Sequence, residues 1–380
     1  MRFPEFDGEW KINKIKNFGT IVTDNTPPTK DIDNYGNDYL WASPADLGMS
    51  KYITDTKTML STQGFKKTRK IPKGSILVTC IGSTIGKTGM AIKEMATNQQ
   101  INSIIVYKDF DGDFVYYAVN SQFPKYLSSI SIQAVPIISK SVFEELNNYS
   151  TSIEEQKKIG RLLSLLDDRI STQSKSIEDF KTLKTSLIDY YYHRKRNNNF
   201  IQLGDCIVQK SKRNKKNEDY PVLSVSNKYG FIRQSEQFEN REVASDDTSN
   251  YKIVRENDFA YNPARINVSS VARLTNNDRG IVSPMYVCFH SKDNLLPDFL
   301  EFYFNSQLFK NEMNKRLEGS VRQCLTFESL CDIPICFPSI DEQKRISVRL
   351  ATIQKKIDIE NSIKNLFVTQ KKYLLKQMFI

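Results

Sequence analysis

The segment that decides the fold is Ser152-Ile153-Glu154-Glu155-Gln156-Lys157-Lys158-Ile159. It returns later in the chain as Ser339-Ile340-Asp341-Glu342-Gln343-Lys344-Arg345-Ile346, at an offset of 187 residues. The similarity continues at the same offset without a gap, in pairs that include Leu163/Leu350, Ile170/Ile357, Phe180/Phe367 and Leu187/Leu374. Self-similarity at a fixed offset indicates an internal duplication.

Each copy of this segment begins a long amphipathic helix. Apolar residues recur in the alternating steps of four and three that define a heptad seam. The seam of the first copy is Ile159, Leu163, Leu166, Ile170, Gln173, Ile177, Phe180, Lys184, Leu187 and Tyr191. The seam of the second copy is Ile346, Leu350, Ile353, Ile357, Glu360, Lys364, Phe367, Lys371, Leu374 and Met378.

The two seams are matched in length and in their polar breaks. Gln173 corresponds to Glu360, and Lys184 corresponds to Lys371. Neither helix contains proline, and Gly160 is the single glycine, so each helix is about 60 Å long at ~1.5 Å per residue. These features favour pairing of the two helices with each other. The alternative is that each helix packs separately on its own domain.

Composition restricts the class of protein. The chain has 380 residues, of which 39% are hydrophobic, and it carries a formal charge of +10. That hydrophobic content supports packed cores, and the length accommodates two ordinary domains beside the helices. A net positive charge suggests a polyanionic partner, although many proteins that bind no nucleic acid are also basic.

The sequence predicts a cytosolic protein. The first ten residues contain no apolar segment typical of a signal peptide, and no later run approaches the roughly 18 apolar residues of a membrane span. The spacing of Cys324, Cys331 and Cys336 matches no zinc motif. We therefore interpret the cysteines as buried free thiols.

The duplication predicts four parts. These are a first domain at 1–151, a long helix at 152–196, a second domain at 197–338 and a long C-terminal helix at 339–380. The second domain repeats features of the first in order, since Ile71–Val78 corresponds to Val254–Tyr261, and Asn120-Ser121-Gln122 returns as Asn305-Ser306-Gln307. Short apolar runs between turn-rich segments predict α+β domains with β-rich cores.

Two motifs resemble catalytic loops but lack required residues. The stretch from Gly82 to Thr88 ends in Gly-Lys-Thr, yet three residues separate its glycines where a phosphate-binding loop has four. Tyr261-Asn262-Pro263-Ala264-Arg265 resembles the Asn-Pro-Pro-Tyr loop of adenine methyltransferases without the second proline and the aromatic residue. The chain has two histidines, so few imidazole groups are present that could act as a general base. The sequence therefore predicts a protein without catalytic or cofactor-binding residues.

Basic and amide side chains in loops are the remaining candidates for function. Lysine and arginine neutralise phosphates, whereas asparagine, glutamine and arginine also pair with base edges in the major groove. Two basic runs, at residues 66–70 and 210–216, stand out, and either could also be an ordinary solvated loop. The candidate DNA-contacting residues in the first domain are Gln63, Lys66, Lys67, Arg69, Ser83, Thr84, Lys87 and Gln133. Those in the second domain are Lys212, Arg213, Lys215, Asn227, Lys228, Asn262, Arg265, Asn267, Arg322 and Gln323.

Taken together, the chain resembles the specificity subunit of type I restriction-modification systems. The resemblance covers essentially all of the sequence, and the two helix starts are its most specific part. It also includes Arg2–Trp10, Thr84–Lys87, Tyr220–Asn227 and Phe259–Asn267. The first helix start departs slightly from the second, with Thr151 where the second has Pro338.

The resemblance implies two target recognition domains separated by an antiparallel helical pair, each reading half of a bipartite DNA site. It also implies two modification subunits that carry S-adenosylmethionine, and restriction subunits that use ATP and Mg. This chain itself would hold no cofactor and no metal. The competing interpretations are a self-contained methyltransferase or nuclease, and a coiled-coil scaffold that does not contact DNA.

Overall fold

The computed structural model describes residues 2–128, 136–193, 199–226, 229–234, 247–266, 271–275, 277–319 and 323–379. The chain divides into two compact units, one formed by Met1–Ser176 with Glu360–Ile380 and the other by Ile177–Ile359. Each unit contains a globular part and a portion of both long helices, so the division into 1–151, 152–196, 197–338 and 339–380 stays a prediction. Among the described residues, no helix combines the length and apolarity needed to cross a membrane.

The first unit alternates short strands and helices before the first long helix. Its elements are β1 Lys11–Lys14, α1 Ile15–Phe18, β2 Gly19–Thr23, a 3-10 turn Ile32–Asn34, β3 Tyr35–Ala42, β4 Tyr52–Ile53, β5 Thr58–Leu60, α2 Thr62–Lys66, β6 Ile76–Thr79, β7 Thr88–Ala91, β8 Ala96–Thr97, β9 Ile101–Val106, α3 Gly112–Ser128, α4 Lys140–Glu145, β10 Asn147–Ser150 and α5 Ile153–Tyr192.

The core of this unit is β-rich, as the sequence predicts. A five-stranded sheet has the order β2-β9-β6-β7-β4, a three-stranded sheet has the order β5-β3-β8, and β1 pairs with β10. Helix α3 covers the larger sheet with buried side chains that include Phe114 and Tyr117. Ile159 and Leu163 of α5 belong to the same cluster, so the long helix is part of this core.

The second unit repeats this order of elements. They are β11 Phe200–Gln202, α6 Leu203–Cys206, β12 Ile207–Lys210, β13 Val222–Ser226, β14 Gly230–Arg233, β15 Lys252–Arg255, β16 Phe259–Tyr261, a 3-10 turn Pro263–Arg265, β17 Ala272–Arg273, β18 Arg279–Val282, β19 Val287–Ser291, α7 Pro297–Tyr303, α8 Gln307–Asn314, α9 Phe327–Cys331, β20 Pro334–Cys336 and α10 Ile340–Met378.

The sheets of the second unit share most of their strand order with those of the first, although β4 is an additional strand of the first unit and β15 an additional strand of the second. The order β12-β19-β16-β17 corresponds to β2-β9-β6-β7, and the β11–β20 pair corresponds to β1–β10. Strand β13 pairs antiparallel with β14 and parallel with β18, just as β3 pairs with β5 and β8. The faint sequence similarity between the domains therefore reflects a duplicated fold.

The long helices pack against each other antiparallel within each unit. In the first unit, Lys371 Nζ donates to Asp167 Oδ1 at 2.5 Å, and Gln173 Nε2 donates to the Glu360 carbonyl at 3.3 Å. In the second unit, Lys184 Nζ donates to Gln354 Oε1 at 2.6 Å. Every residue of both predicted seams is buried or half-buried. The heptad prediction is confirmed, and its polar breaks are hydrogen-bonded contacts between the helices.

The repeated motif also attaches each helix to its own globular part. Gln156 Oε1 accepts from the Asp111 N–H at 3.0 Å, and Gln343 Oε1 accepts from the Leu296 N–H at 2.9 Å. Both glutamine side chains are buried. If either long helix shifted, its buried glutamine would lose these hydrogen bonds to the backbone, which is costly inside a protein. The glutamine therefore fixes the start of each long helix relative to its own globular part.

Candidate nucleic-acid interface

A cationic cleft lies beside the β14-β13-β18-β15 sheet of the second unit. Its volume is about 720 Å³, and six cationic residues line it: Lys212, Arg213, Lys215, Lys216, Arg255 and Arg279. Glu218 is the carboxylate among its lining residues. Lys212, Lys215, Lys216 and Arg255 form no ion pair with any residue that the structure describes. Among the lining residues that the structure describes, six cations therefore accompany one carboxylate.

Two of these arginines face each other across adjacent strands. Arg255 of β15 and Arg279 of β18 are direct partners in an antiparallel ladder. Like charges directly opposite each other destabilise a sheet. Arg279 is partly compensated by Tyr220, whose hydroxyl accepts from Nη1 at 2.9 Å and whose ring lies 5.4 Å from the guanidinium. An anion in the cleft would relieve the remaining repulsion.

The loop that carries the lysines is held in a fixed shape. Buried Asn214 donates to the Glu218 carbonyl at 2.8 Å and accepts from the Glu218 N–H at 3.0 Å. The Lys212 carbonyl accepts from the Ile253 N–H at 2.8 Å, which ties the loop to β15. A preformed loop presents its cations without paying much ordering entropy on binding. These contacts therefore fix the shape of the loop before any ligand binds.

The predicted base-reading loop at 262–265 and the basic run at 210–216 leave the same edge of the β12-β19-β16-β17 sheet. The pairings Lys210 with Cys288 and Tyr261 with Val287 place the carboxyl ends of β12 and β16 beside the start of β19. Asn262 accepts from the Ala264 N–H at 3.1 Å, so its side-chain oxygen already caps the 3-10 turn. Arg265 and Gln323 are exposed. Arg265 is therefore better placed than Asn262 to contact a base edge.

The first unit has an equivalent edge. The pairings Thr23 with Asn102 and Thr79 with Ile101 place the ends of β2 and β6 beside the start of β9. Ser83 and Thr84 lie in the hairpin between β6 and β7, the position that the 262–265 loop occupies after β16. A phosphate-binding loop leads from a strand into a helix, so this hairpin agrees with the exclusion of nucleotide binding.

Asp24 holds several loops of this edge together. Its carboxylate accepts from the N–H groups of Arg69 at 2.8 Å, Asn25 at 2.8 Å and Thr97 at 3.0 Å. Burial raises the pKa of Asp24, although these three donors favour its charged form. The edge is therefore built around a carboxylate that organises the backbone.

In the first basic run, at residues 66–70, two side chains already form hydrogen bonds within the chain. Lys67 Nζ donates to Asn34 Oδ1 at 2.7 Å and to Asp31 Oδ2 at 3.0 Å, and Arg69 Nη1 donates to the Thr23 carbonyl at 2.6 Å. Gln63 and Lys66 are exposed on α2. Lys87 lines a different depression, next to Gly48.

Five predicted residues lie outside the described part of the chain, and other residues were not predicted. The five are Gln133, Asn227, Lys228, Asn267 and Arg322. Lys216, Tyr220, Arg255 and Arg279 were missed although they line the cleft. The pairing of Arg255 with Arg279 depends on strand register over a separation of 24 residues, so the sequence alone offered no signal for it.

The chain therefore consists of two duplicated α+β domains, each with a polar loop edge, and the second of them also has a cationic cleft. The model of the type I restriction modification DNA specificity domain matches residues 7–179 and again residues 194–366. The chain belongs to this family.

Curated relatives agree with this assignment. The chain is 30% identical over 190 residues to the type I restriction enzyme MjaIX specificity subunit of Methanocaldococcus jannaschii, a match that covers 48% of this chain and 44% of the relative. It is 32% identical over 125 residues to the HindI specificity subunit of Haemophilus influenzae, covering 32% of this chain and 27% of the relative. These two matches span less than half of either relative. A match to the MjaVIII specificity subunit of Methanocaldococcus jannaschii, at 22% identity, covers 99% of this chain and 92% of the relative.

Solved structures show the same fold. The S subunit of a type I restriction-modification system from M. genitalium superimposes with a TM-score of 0.62 at 16% identity, over 98% of this chain and 96% of that one. A chain from a structural study of complex assembly and conformational transition in the type I system gives a TM-score of 0.54 at 14% identity, over 97% of each chain.

Proposed function

We propose that this chain is the DNA-recognition subunit of a type I restriction-modification complex. Each of its two domains reads one half of a bipartite target, and the chain itself performs no catalysis. The observation that carries the proposal is the cationic cleft of the second unit, where Arg255 and Arg279 are opposed and four lysine or arginine side chains join them.

Different residues serve positioning and sequence recognition. Lys212, Lys215 and Lys216 provide phosphate contacts, because ammonium groups neutralise the backbone without distinguishing bases. Arg265 and Gln323 contact base edges, because guanidinium and amide groups match the donor and acceptor pattern of the major groove. In the first unit, Ser83 and Thr84 occupy the equivalent edge and have the corresponding role.

The chemistry belongs to partner subunits. Two modification subunits supply S-adenosylmethionine and methylate adenine in the target that this chain selects. Restriction subunits supply ATP-dependent translocation and cleavage with Mg. Support for these partners comes from the family and from the absence of a complete phosphate-binding or methyltransferase loop in the sequence.

The test is the salt dependence of DNA binding by the chain assembled with its modification subunits. Replacing Lys212 and Lys215 by alanine removes two phosphate contacts, so the slope of log K against log salt should fall by about 2. The matched control replaces Lys157 and Lys175, two exposed lysines of α5. That control should keep the wild-type slope.

The same experiment tests the competing functions. If both double variants showed the same slope of log K against log salt, the cleft would not be part of the DNA interface. Binding of the wild-type complex that responds to neither salt nor sequence would favour a scaffold. Methyl transfer by the chain alone, free of partner subunits, would favour a self-contained methyltransferase.

A further inference from the structure

A groove between α3 and the end of α10 in the first unit has no role in the DNA interface described above. Two adjoining depressions form it, with volumes of about 590 Å³ and about 440 Å³. They share Asn120, Pro124 and Leu375 as lining residues. The two depressions therefore form one continuous groove along the two helices.

The floor of the groove is apolar. Phe123 and Leu127 of α3 face it from one side, and Val368 and Leu375 of α10 face it from the other. Leu127 remains 37% exposed. Val368 and Leu375 are half-buried, whereas Phe123 is buried in the core. Partly exposed apolar side chains in a depression bordered by polar residues are typical of protein interaction sites.

Four lysines border this floor. Lys87, Lys125, Lys372 and Lys376 line the groove, and none of them forms an ion pair with a residue that the structure describes. Lys372 and Lys376 are four residues apart on α10, where like charges repel. The carboxylate of the lining, Asp167, is already bound by Lys371 and by the Tyr117 hydroxyl. The groove is therefore complementary to an anionic ligand.

An apolar floor with cationic borders fits an acidic amphipathic helix. Such a helix places leucine-like residues at positions i, i+3 and i+4 in the groove and carboxylates beside the lysines. The sugar-phosphate backbone of DNA would satisfy the lysines but would leave the exposed part of Leu127 without an apolar partner. The combination of both features distinguishes a protein segment from nucleic acid.

The duplication did not reproduce two of these lysines in the second unit. At the offset of the two long helices, Lys372 corresponds to Thr185 and Lys376 corresponds to Asp189. The Asp189 carboxylate accepts from the Gln307 N–H at 2.7 Å, at the start of α8. A ligand that depends on these lysines therefore has one site per chain, although the recognition domains are present twice.

We propose that this groove binds one acidic amphipathic helix of a partner subunit per chain. The inference rests on the proposed function, because that function supplies the partner subunits. It adds an asymmetric docking site to a chain whose recognition domains are duplicated.

The first arm of the test measures assembly. The double variant Lys372→Glu and Lys376→Glu is titrated with the modification and restriction subunits encoded with this chain. We expect at least one of these affinities to fall about tenfold or more, because repulsion replaces attraction at the rim of the groove. The control Lys157→Glu and Lys175→Glu should bind within about twofold of wild type. If circular dichroism shows that the variant is unfolded, Lys372→Gln and Lys376→Gln replace it.

The second arm identifies the occupant. Leu127 is replaced by the photo-crosslinking residue benzoylphenylalanine in the reconstituted complex, and the joined peptides are sequenced by mass spectrometry. The expected product is a partner segment with carboxylates and apolar residues at helical spacing. Crosslinks solely to DNA or to this chain, or to a segment without acidic residues, contradict the proposal.

Two further outcomes are decisive. Equal assembly of the groove variant and its control overturns the proposal. A lower salt slope of DNA binding with unchanged assembly also overturns it and assigns the groove, including Lys87, to the DNA backbone. Failure of the proposed function is recognised separately, because the wild-type complex would then show no sequence-specific methylation.

Discussion

At the scale of single residues, the opposed arginines of the second unit are the clearest sign of an anionic ligand. Arg255 and Arg279 face each other on neighbouring strands, and the nearby lysines add charge instead of compensating it. A protein under selection for stability alone has no reason to keep this arrangement. We propose that binding of a polyanion offsets this repulsion.

Arg265 allows a test of base recognition by one side chain. The change Arg265→Ala should relax sequence choice at one base pair of one half-site, with a loss of about 1 to 3 kcal/mol in discrimination. The measurement is binding to a panel of duplexes that vary one position at a time.

The matched control is Arg265→Lys. It keeps the positive charge but loses the fork that pairs with two acceptors of guanine. Full specificity in the lysine variant would show that Arg265 contacts phosphate and does not distinguish bases.

The sequence predicted part of the proposed DNA interface, whose contacts with DNA stay predictions, and it did not predict the rest for physical reasons. The basic run at 210–216 and the loop at 262–265 are local features, so their composition was sufficient. Arg255 and Arg279 enter the cleft through strand register, which local patterns do not reveal. Lys67 and Arg69 were predicted as DNA contacts, but they donate hydrogen bonds within the chain to Asn34 and Thr23. Because these acceptors lie 33 and 46 residues away in the chain, local patterns did not reveal the contacts.

At the scale of elements, the long helices were the most predictable part of the fold. Their heptad seams extend over about 40 residues, and a periodic signal of that length dominates weak local propensities. The short strands were harder to place, because strands of two to four residues carry little pattern. The duplicated strand order of the two domains supports these short strands, because corresponding strands recur in both.

Gly160 provides a test of helix packing. A β-carbon at this position would lie 2.5 Å from Asp111 Oδ1 and 2.9 Å from the Phe114 nitrogen. Gly→Ala inside a helix normally stabilises it. Here Gly160→Ala should destabilise the protein by roughly 1 to 3 kcal/mol, because the start of α3 would have to move.

Thermal unfolding measures this effect. The control is Ser186→Ala, at an exposed position of the same helix, which should leave the melting temperature unchanged or slightly higher. A melting temperature of Gly160→Ala equal to or above that of wild type would mean that α3 does not restrict this position.

At the scale of the whole molecule, each of the two long helices contributes to both compact units. Helix α5 runs without interruption from Ile153 to Tyr192 and contributes to both compact units. We propose that its length sets the distance between the two half-sites. The spacer in the DNA target would then matter for its length and not for its sequence.

Deleting Ser171–Ser174 tests this relation. The deletion shortens α5 by about 6 Å at ~1.5 Å per residue, nearly two base-pair steps of ~3.4 Å. The folded variant should methylate sites that have the same half-sites and a shorter spacer. Gln173→Ala at full length is the control, because it removes the contact with Glu360 without changing the spacing. An unchanged spacer in the deletion variant would show that partner subunits position the domains.

The central claim is that the two domains recognise DNA independently, and one measurement tests it most directly. Residues 200–338 are exchanged for the equivalent segment of another family member, and methylated adenines are mapped across the genome by long-read sequencing. The account predicts that one half of the methylated motif changes while the other half and the spacer length persist. A motif that changes in both halves, or in neither, would contradict it.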